Sequence, residues 1–194
     1  MGKTVRTSIF KSPVTGARKV SFTNIEGDEQ SDLNVHGGVN KAVYAYDLIH
    51  YDHWKTILQR KDWQYGMFGE NLTTQGLVDG KVTIGSIYQI GTAKFQVIQP
   101  RFPCFKLNIR FGLTDMIERF MEQKRNGIYF KVIEEGIIGV NDEVKLIEPS
   151  SINVTINDYV NCYYSKGSEK SVVKALLSFP GLPERHRTIF EGYL

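Results

Sequence analysis

Glycine breaks the middle of this chain into apolar bursts too short to be anything but brief strands. Two of them follow each other closely, Lys81-Val82-Thr83-Ile84-Gly85-Ser86-Ile87-Tyr88-Gln89-Ile90-Gly91 and Lys94-Phe95-Gln96-Val97-Ile98-Gln99. In the second, Phe95 and Val97 alternate with Lys94 and Gln96, the period of a half-buried strand. A further pair of bursts, between Gly136 and Ile147, is divided by a turn signal at Asn141-Asp142. Many short strands with this punctuation predict a barrel or compact sandwich over residues 1–150.

Two helices interrupt the strands. Asp47 is an N-cap for one running to about Arg60, with Tyr51, Trp54, Ile57 and Leu58 as its apolar stripe. The other follows Leu113, places Met116, Ile117, Phe120 and Met121 on one face, and closes at Asn126-Gly127. After Glu148-Pro149 the pattern changes to three short helical segments joined by Gly167 and Phe179-Pro180-Gly181, with Ser168 or Asn157 as caps and Pro183 in a first turn. The reading is a mainly β, α+β chain: a barrel at 1–150 and a three-helix extension at 151–194. The extension is expected to dock on the barrel or on a second copy, as in a homodimer.

At 194 residues, 41% hydrophobic and 23% charged, the chain can bury a core without staples, and its composition excludes disorder. Two cysteines, Cys104 and Cys162, are too few for a disulfide framework and lack zinc-site spacing. The N-terminal residues carry no apolar run, and no stretch approaches the ~18 apolar residues of a membrane span. The expectation is a cytoplasmic protein with no membrane partner. A net charge of +3 does not announce a nucleic-acid binder, although seven basic residues against three acidic ones lie between Arg101 and Lys131.

The densest chemistry is Gln99-Pro100-Arg101-Phe102-Pro103-Cys104-Phe105-Lys106. Two prolines in four residues prevent a helix there, so the segment is expected to run extended, with the 104 and 106 side chains on one side. A cation beside a cysteine favours thiolate, the form that attacks, carries sulfur or binds a soft metal. A small buried hydrophobe between two phenylalanines is the competing reading. Cys162 is assigned to packing. In Asn34-Val35-His36-Gly37-Gly38-Val39-Asn40-Lys41, adjacent glycines allow positive φ and an anion-binding concavity, to which Lys41 adds charge; a plain turn is the alternative. Gly66-Met67-Phe68-Gly69-Glu70-Asn71 suits a ligand-lining loop or a tight barrel corner equally.

Other patterns fail. Gly76 to Val82 is one residue short of a phosphate loop, and no dinucleotide fingerprint or serine elbow is present. His50 and His53 share a helix but lack a third ligand, and are read as solvated polar-face residues.

Together, Asp28-Glu29-Gln30, His36-Gly37-Gly38-Val39-Asn40-Lys41, Gly69-Glu70-Asn71-Leu72 and Pro100-Arg101-Phe102-Pro103-Cys104-Phe105-Lys106 resemble a MOSC domain, the module named after the molybdenum cofactor sulfurase C-terminal region. The residues from Asn153 onward resemble the three-helix extension of its YiiM-like subgroup. One departure is Gly85-Ser86, where related sequences often carry Gly-Asp. The resemblance implies a β-barrel and a molybdenum cofactor (molybdopterin), with Cys104 as catalytic residue and metal ligand. It implies Arg101 and Lys106 as anion partners of the cofactor, His36, Gly37, Gly38 and Lys41 lining the cleft, and Glu70 and Asn71 supplying hydrogen bonds. The implied activity is an oxidoreductase acting on N-hydroxylated bases, served by a separate electron-donor protein. A sulfur carrier holding a persulfide on Cys104 is the runner-up, and a non-enzymatic anion- or nucleic-acid-binding module the third reading.

Overall fold

The computed structural model describes residues 7–28 and 38–194. Within them lie eight strands and six α-helices, an α+β fold. The main sheet has six strands, β2 (Val43–Asp47), β3 (Leu72–Thr74), β4 (Ile87–Ile90), β5 (Ala93–Pro100), β6 (Ile128–Glu134) and β8 (Val144–Glu148). Their order is β3-β2-β6-β5-β4-β8, antiparallel except for the parallel β2–β3 pair. The two end strands do not pair, so the expected barrel is a curled half-barrel with open edges. A separate ribbon pairs β1 (Arg18–Val20) with β7 (Gly136–Ile138).

β2 shows why the sheet sits inside the molecule. All five of its residues are buried. Successive side chains of a strand point to opposite faces. Val43 and Ala45 therefore enter one apolar cluster with β4, β5, β6 and the C-terminal helices. Tyr44 and Tyr46 enter the other, an aromatic cluster with Tyr51, Trp54, Phe68, Phe111 and Phe120. In that cluster Trp54 and Phe120 stack at 6.0 Å and 8°.

Helix α1 (Leu48–Ile57) starts where Asp47 accepts a hydrogen bond from the Ile49 N–H, as the sequence indicates, but it stops short of Arg60 and leaves Ile57 exposed. Helix α3 (Met116–Gln123) buries Met116 and Phe120 and leaves Met121 in solvent. It ends three residues before Gly127, on Lys124 in a left-handed conformation. Between them lies α2 (Phe105–Phe111), a helix the sequence reading missed.

The C-terminal segment forms α4 (Ile156–Tyr164), α5 (Lys170–Ser178) and α6 (Glu184–Glu191). Thr155 rather than Asn157 caps α4, in a reciprocal pair with Asp158, and α5 is preceded by Glu169 rather than directly by Ser168. Pro183 stands immediately before α6. Ile156, Tyr159, Cys162, Val173, Leu176 and Phe190 are buried in the same cluster as the sheet, so barrel and extension share one core. Ser86, at the departure from the Gly-Asp pattern, is a buried turn residue whose Oγ accepts from the Ser150 N–H at 3.1 Å.

Candidate functional site

The site begins where β5 ends. The β5–β6 register shifts between Val97 and Gln99, and the last rung pairs Pro100 with Ile128. A bulge turns a strand, and Pro100 and Pro103 bring no N–H to extend the ladder. The chain leaves the sheet here and folds Arg101 inward. The Arg101 guanidinium lies over the rings of Tyr44 (5.2 Å) and Phe120 (5.7 Å) and is only 6% exposed. Its Nη1 is buried with no hydrogen-bond partner, and no carboxylate lies within 4.0 Å of it among the described residues.

Phe102 points the other way, into the extension. Its ring meets Tyr163 at 4.3 Å and His186 at 5.6 Å. Burial, with lesser contributions from Lys41 and Arg185, pushes the His186 imidazole down to about 4. The neutral ring shares a hydrogen bond with the Tyr159 hydroxyl through Nδ1. The loop residue after Arg101 is thus seated in the C-terminal helices.

Cys104 is the N-cap of α2, extended at φ −134° and ψ 170°, and makes no side-chain capping bond. Lys106 lies in the first turn of that helix. The expected extended run through Lys106 is therefore incorrect: the two prolines hold the chain open only as far as Cys104. Cys104 and Lys106 nonetheless reach the same cleft of about 580 Å³, open to solvent, with Arg101, Lys41, Asn71 and Tyr129 also on its walls. Among the described residues four cations line it, Lys11, Lys41, Arg101 and Lys106, against the carboxylate of Asp28. That carboxylate is engaged by Lys11 and by the Asn71 side-chain N–H at 2.6 Å. Lys41 titrates below an ordinary lysine, through burial first and Arg185 second.

The remaining residues singled out by sequence fall elsewhere. Glu70 is buried behind the wall, where it accepts from the Gly66 N–H (2.7 Å), the Phe68 N–H (3.1 Å), the Thr73 hydroxyl (3.0 Å) and the Tyr51 hydroxyl. It clamps a tight corner, and burial raises its carboxyl above the ordinary value. Asn71 accepts from the Tyr44 N–H at 2.9 Å and also lines the cleft. Gly38 has φ 86°, the positive φ expected of it, but is not on the cleft wall. His36 and Gly37 lie outside the described residues, as do Glu29 and Gln30. Cys162 is buried packing, as read, and burial raises its thiol. Of the seven cations from Arg101 to Lys131, only Arg101 and Lys106 line the cleft.

His50 is a correction. It is buried, with Nε2 at 2.9 Å from Asp79 Oδ1, while His53 meets Gln123 Oε1 at 2.8 Å. A polar residue adjoining a helical stripe carries no sequence signal that its partner comes from a glycine-rich turn 29 residues later. Among the described residues no group of three metal-ligating side chains is present, and no helix is long and apolar enough to cross a membrane.

A half-barrel with a cysteine and a buried arginine on the loop leaving its longest strand defines a recognisable class. The chain matches the MOSC domain family over residues 32–145 and belongs to it. It is 34% identical over 189 residues to the uncharacterised protein YflK of Bacillus subtilis, covering 97% of this chain and 85% of YflK. It is 32% identical over 177 residues to YiiM of Escherichia coli, covering 90% and 79%. A protein of Gibberella moniliformis named "Reductase" is 34% identical over 151 residues, 76% of this chain but 27% of that one. The crystal structure of YiiM from Geobacillus stearothermophilus superposes with a TM-score of 0.85 at 32% identity, covering 99% of this chain and 93% of that one.

Proposed function

We propose that this protein holds a molybdopterin-type cofactor in the cleft and uses it to reduce N-oxygenated compounds, N-hydroxylated nucleobases among them. The observation that carries the proposal is Arg101: a buried guanidinium with an unpartnered Nη1 and, among the described residues, no carboxylate within 4.0 Å, opening on a cleft that also holds a cysteine and other cations. Burying a cation without a counterion is costly, so a site built this way fits an anionic ligand. Such a cofactor brings a phosphate, which suits Arg101, Lys106 and Lys41, and a soft metal, which suits the Cys104 thiolate. MOSC membership and the name Reductase borne by the Gibberella moniliformis relative support this choice.

When bound, the cofactor supplies the two-electron chemistry. The chain's own groups do the rest. Arg101 and Lys106 would hold the anion, Cys104 would ligate the metal, and the Tyr129 hydroxyl, whose pKa burial raises further, lies on the same cleft wall as a hydrogen-bond donor. Reduction of an N–OH group takes two electrons and two protons and releases water, and the electrons come from a separate donor protein. The test is molybdenum and pterin content of protein purified from a cofactor-competent host, with Cys104→Ala alongside. Near-stoichiometric metal in the wild type that falls in the variant is the expected result. Folded wild-type protein with neither metal nor pterin overturns the proposal, and sulfane sulfur on Cys104 in that sample would point to the sulfur carrier.

A further inference from the structure

A chain of buried hydrogen bonds links the Arg101 backbone to a carboxylate that is not on the cleft wall. The Asn126 side-chain N–H donates to the Arg101 carbonyl at 2.7 Å, and the Tyr44 hydroxyl donates to the Asn126 carbonyl at 2.9 Å. One carboxylate holds the turn that carries Asn126. Asp79 Oδ2 accepts from the backbone N–H of Asn126 at 2.9 Å and of Gly127 at 3.0 Å, and Oδ1 faces His50 Nε2 at 2.9 Å. Arg125 Nη1 approaches His50 Nδ1 at 3.3 Å. A guanidinium can only donate, so Nδ1 is the acceptor and Nε2 carries the hydrogen that points at Asp79.

His50, Asp79, Asn126 and Arg101 are all buried, and none of the first three lines the cleft. A buried ionic group rarely adds stability over a well-packed apolar one, whereas a satisfied polar network fixes one geometry. Here the geometry fixed is that of the peptide on which Arg101 stands. The network also contains a flaw with a use: Asn126 Oδ1 is buried and unpartnered.

We propose that Asp79, oriented by His50, is a positioning residue for the anion site, acting through Asn126 on the Arg101 backbone. The proposal rests on Arg101 being an anion-binding group. Inorganic phosphate at low ionic strength is the probe, its affinity read by calorimetry on the full chain and by protection of Cys104 from iodoacetamide. Wild-type protein binds phosphate and Arg101→Met does not. Absence of binding in the wild type, or equal binding by Arg101→Met, overturns the anion site and this proposal with it.

Asn126→Leu keeps the volume, removes the donor to Arg101 and also removes the unpartnered oxygen. It is expected to melt close to the wild type yet bind phosphate about tenfold more weakly, the loss of one well-placed charged hydrogen bond. Should that variant fail to fold, the His50 pair decides. His50→Gln retains an N–H for Asp79 and keeps affinity within about twofold, while His50→Leu weakens binding about tenfold. Wild-type affinity in Asn126→Leu, or equal affinities in the two His50 variants, together with a null Arg101→Met, overturns the positioning role and leaves the anion site standing.

Discussion

Arg101 is placed at a cost to the fold. Its aromatic neighbours Tyr44 and Phe120 offer cation–π attraction of about 1–2 kcal/mol, less than the several kcal/mol charged for desolvating an ion. Replacing it with a similarly long apolar side chain should therefore leave stability unchanged or raise it. Arg101→Met is expected to shift chemical denaturation by 0 to about +2 kcal/mol while abolishing anion binding. A loss of more than about 2 kcal/mol would show that the guanidinium serves packing instead. At this scale the sequence was informative where reactive types crowd together: Arg101, Cys104 and Lys106 stand within six positions, and all three line one cleft. For Glu70 it left a ligand loop and a tight corner open, and the corner, clamped from Gly66 four residues away, is what formed; it was mute about His50, whose partner Asp79 lies 29 residues later.

Helix α2 shows how an element can mislead. Phe105, Leu107, Ile109 and Phe111 alternate with polar residues, the period of a strand, yet the segment is helical. Only Leu107 and Phe111, four apart, are buried, while Phe105 and Ile109, also four apart, face solvent. A helix reads the same string as two opposite faces, one of them packed. The strands were legible because glycine and a two-residue period mark them, whereas the open edges of the sheet are a matter of pairing that no local pattern encodes. The turn between α3 and β6 makes a sharper demand. Gly127 has φ 67°, and a Cβ there would lie 2.6 Å from the Ala45 carbonyl oxygen and 2.7 Å from the Tyr46 ring. Gly127→Ala combines left-handed strain with a backbone overlap, and should cost about 3 kcal/mol or more in equilibrium unfolding. A cost below about 1 kcal/mol would mean that the turn and β2 are free to separate.

For the molecule as a whole, the extension is part of the core. The style change near residue 150 was visible in the sequence, but its three helices bury their apolar faces against the same residues as the sheet. A fragment ending at residue 150 is expected to bind a hydrophobic dye and lose near-ultraviolet circular dichroism, and a native-like spectrum would restore an independent barrel. The same junction sets an acid limit. His186 titrates at about 4 when folded, against an ordinary value of 6.5, so the unfolded chain takes up the proton first. Its contribution is complete above about pH 6.5 and is lost as pH falls toward 4, by at most about 3 kcal/mol. Melting temperature in the wild type should fall more steeply across that window than in His186→Gln, and parallel curves would remove His186 as the cause.

The seat of Phe102 among Tyr163 and His186 also has a consequence in time. Chains are made from the N-terminus, so Arg101 and Cys104 emerge from the ribosome well before the residues that brace the loop between them. The loop is therefore braced only after α6 has been released, so the cleft cannot take its final shape while α4 to α6 are still being made.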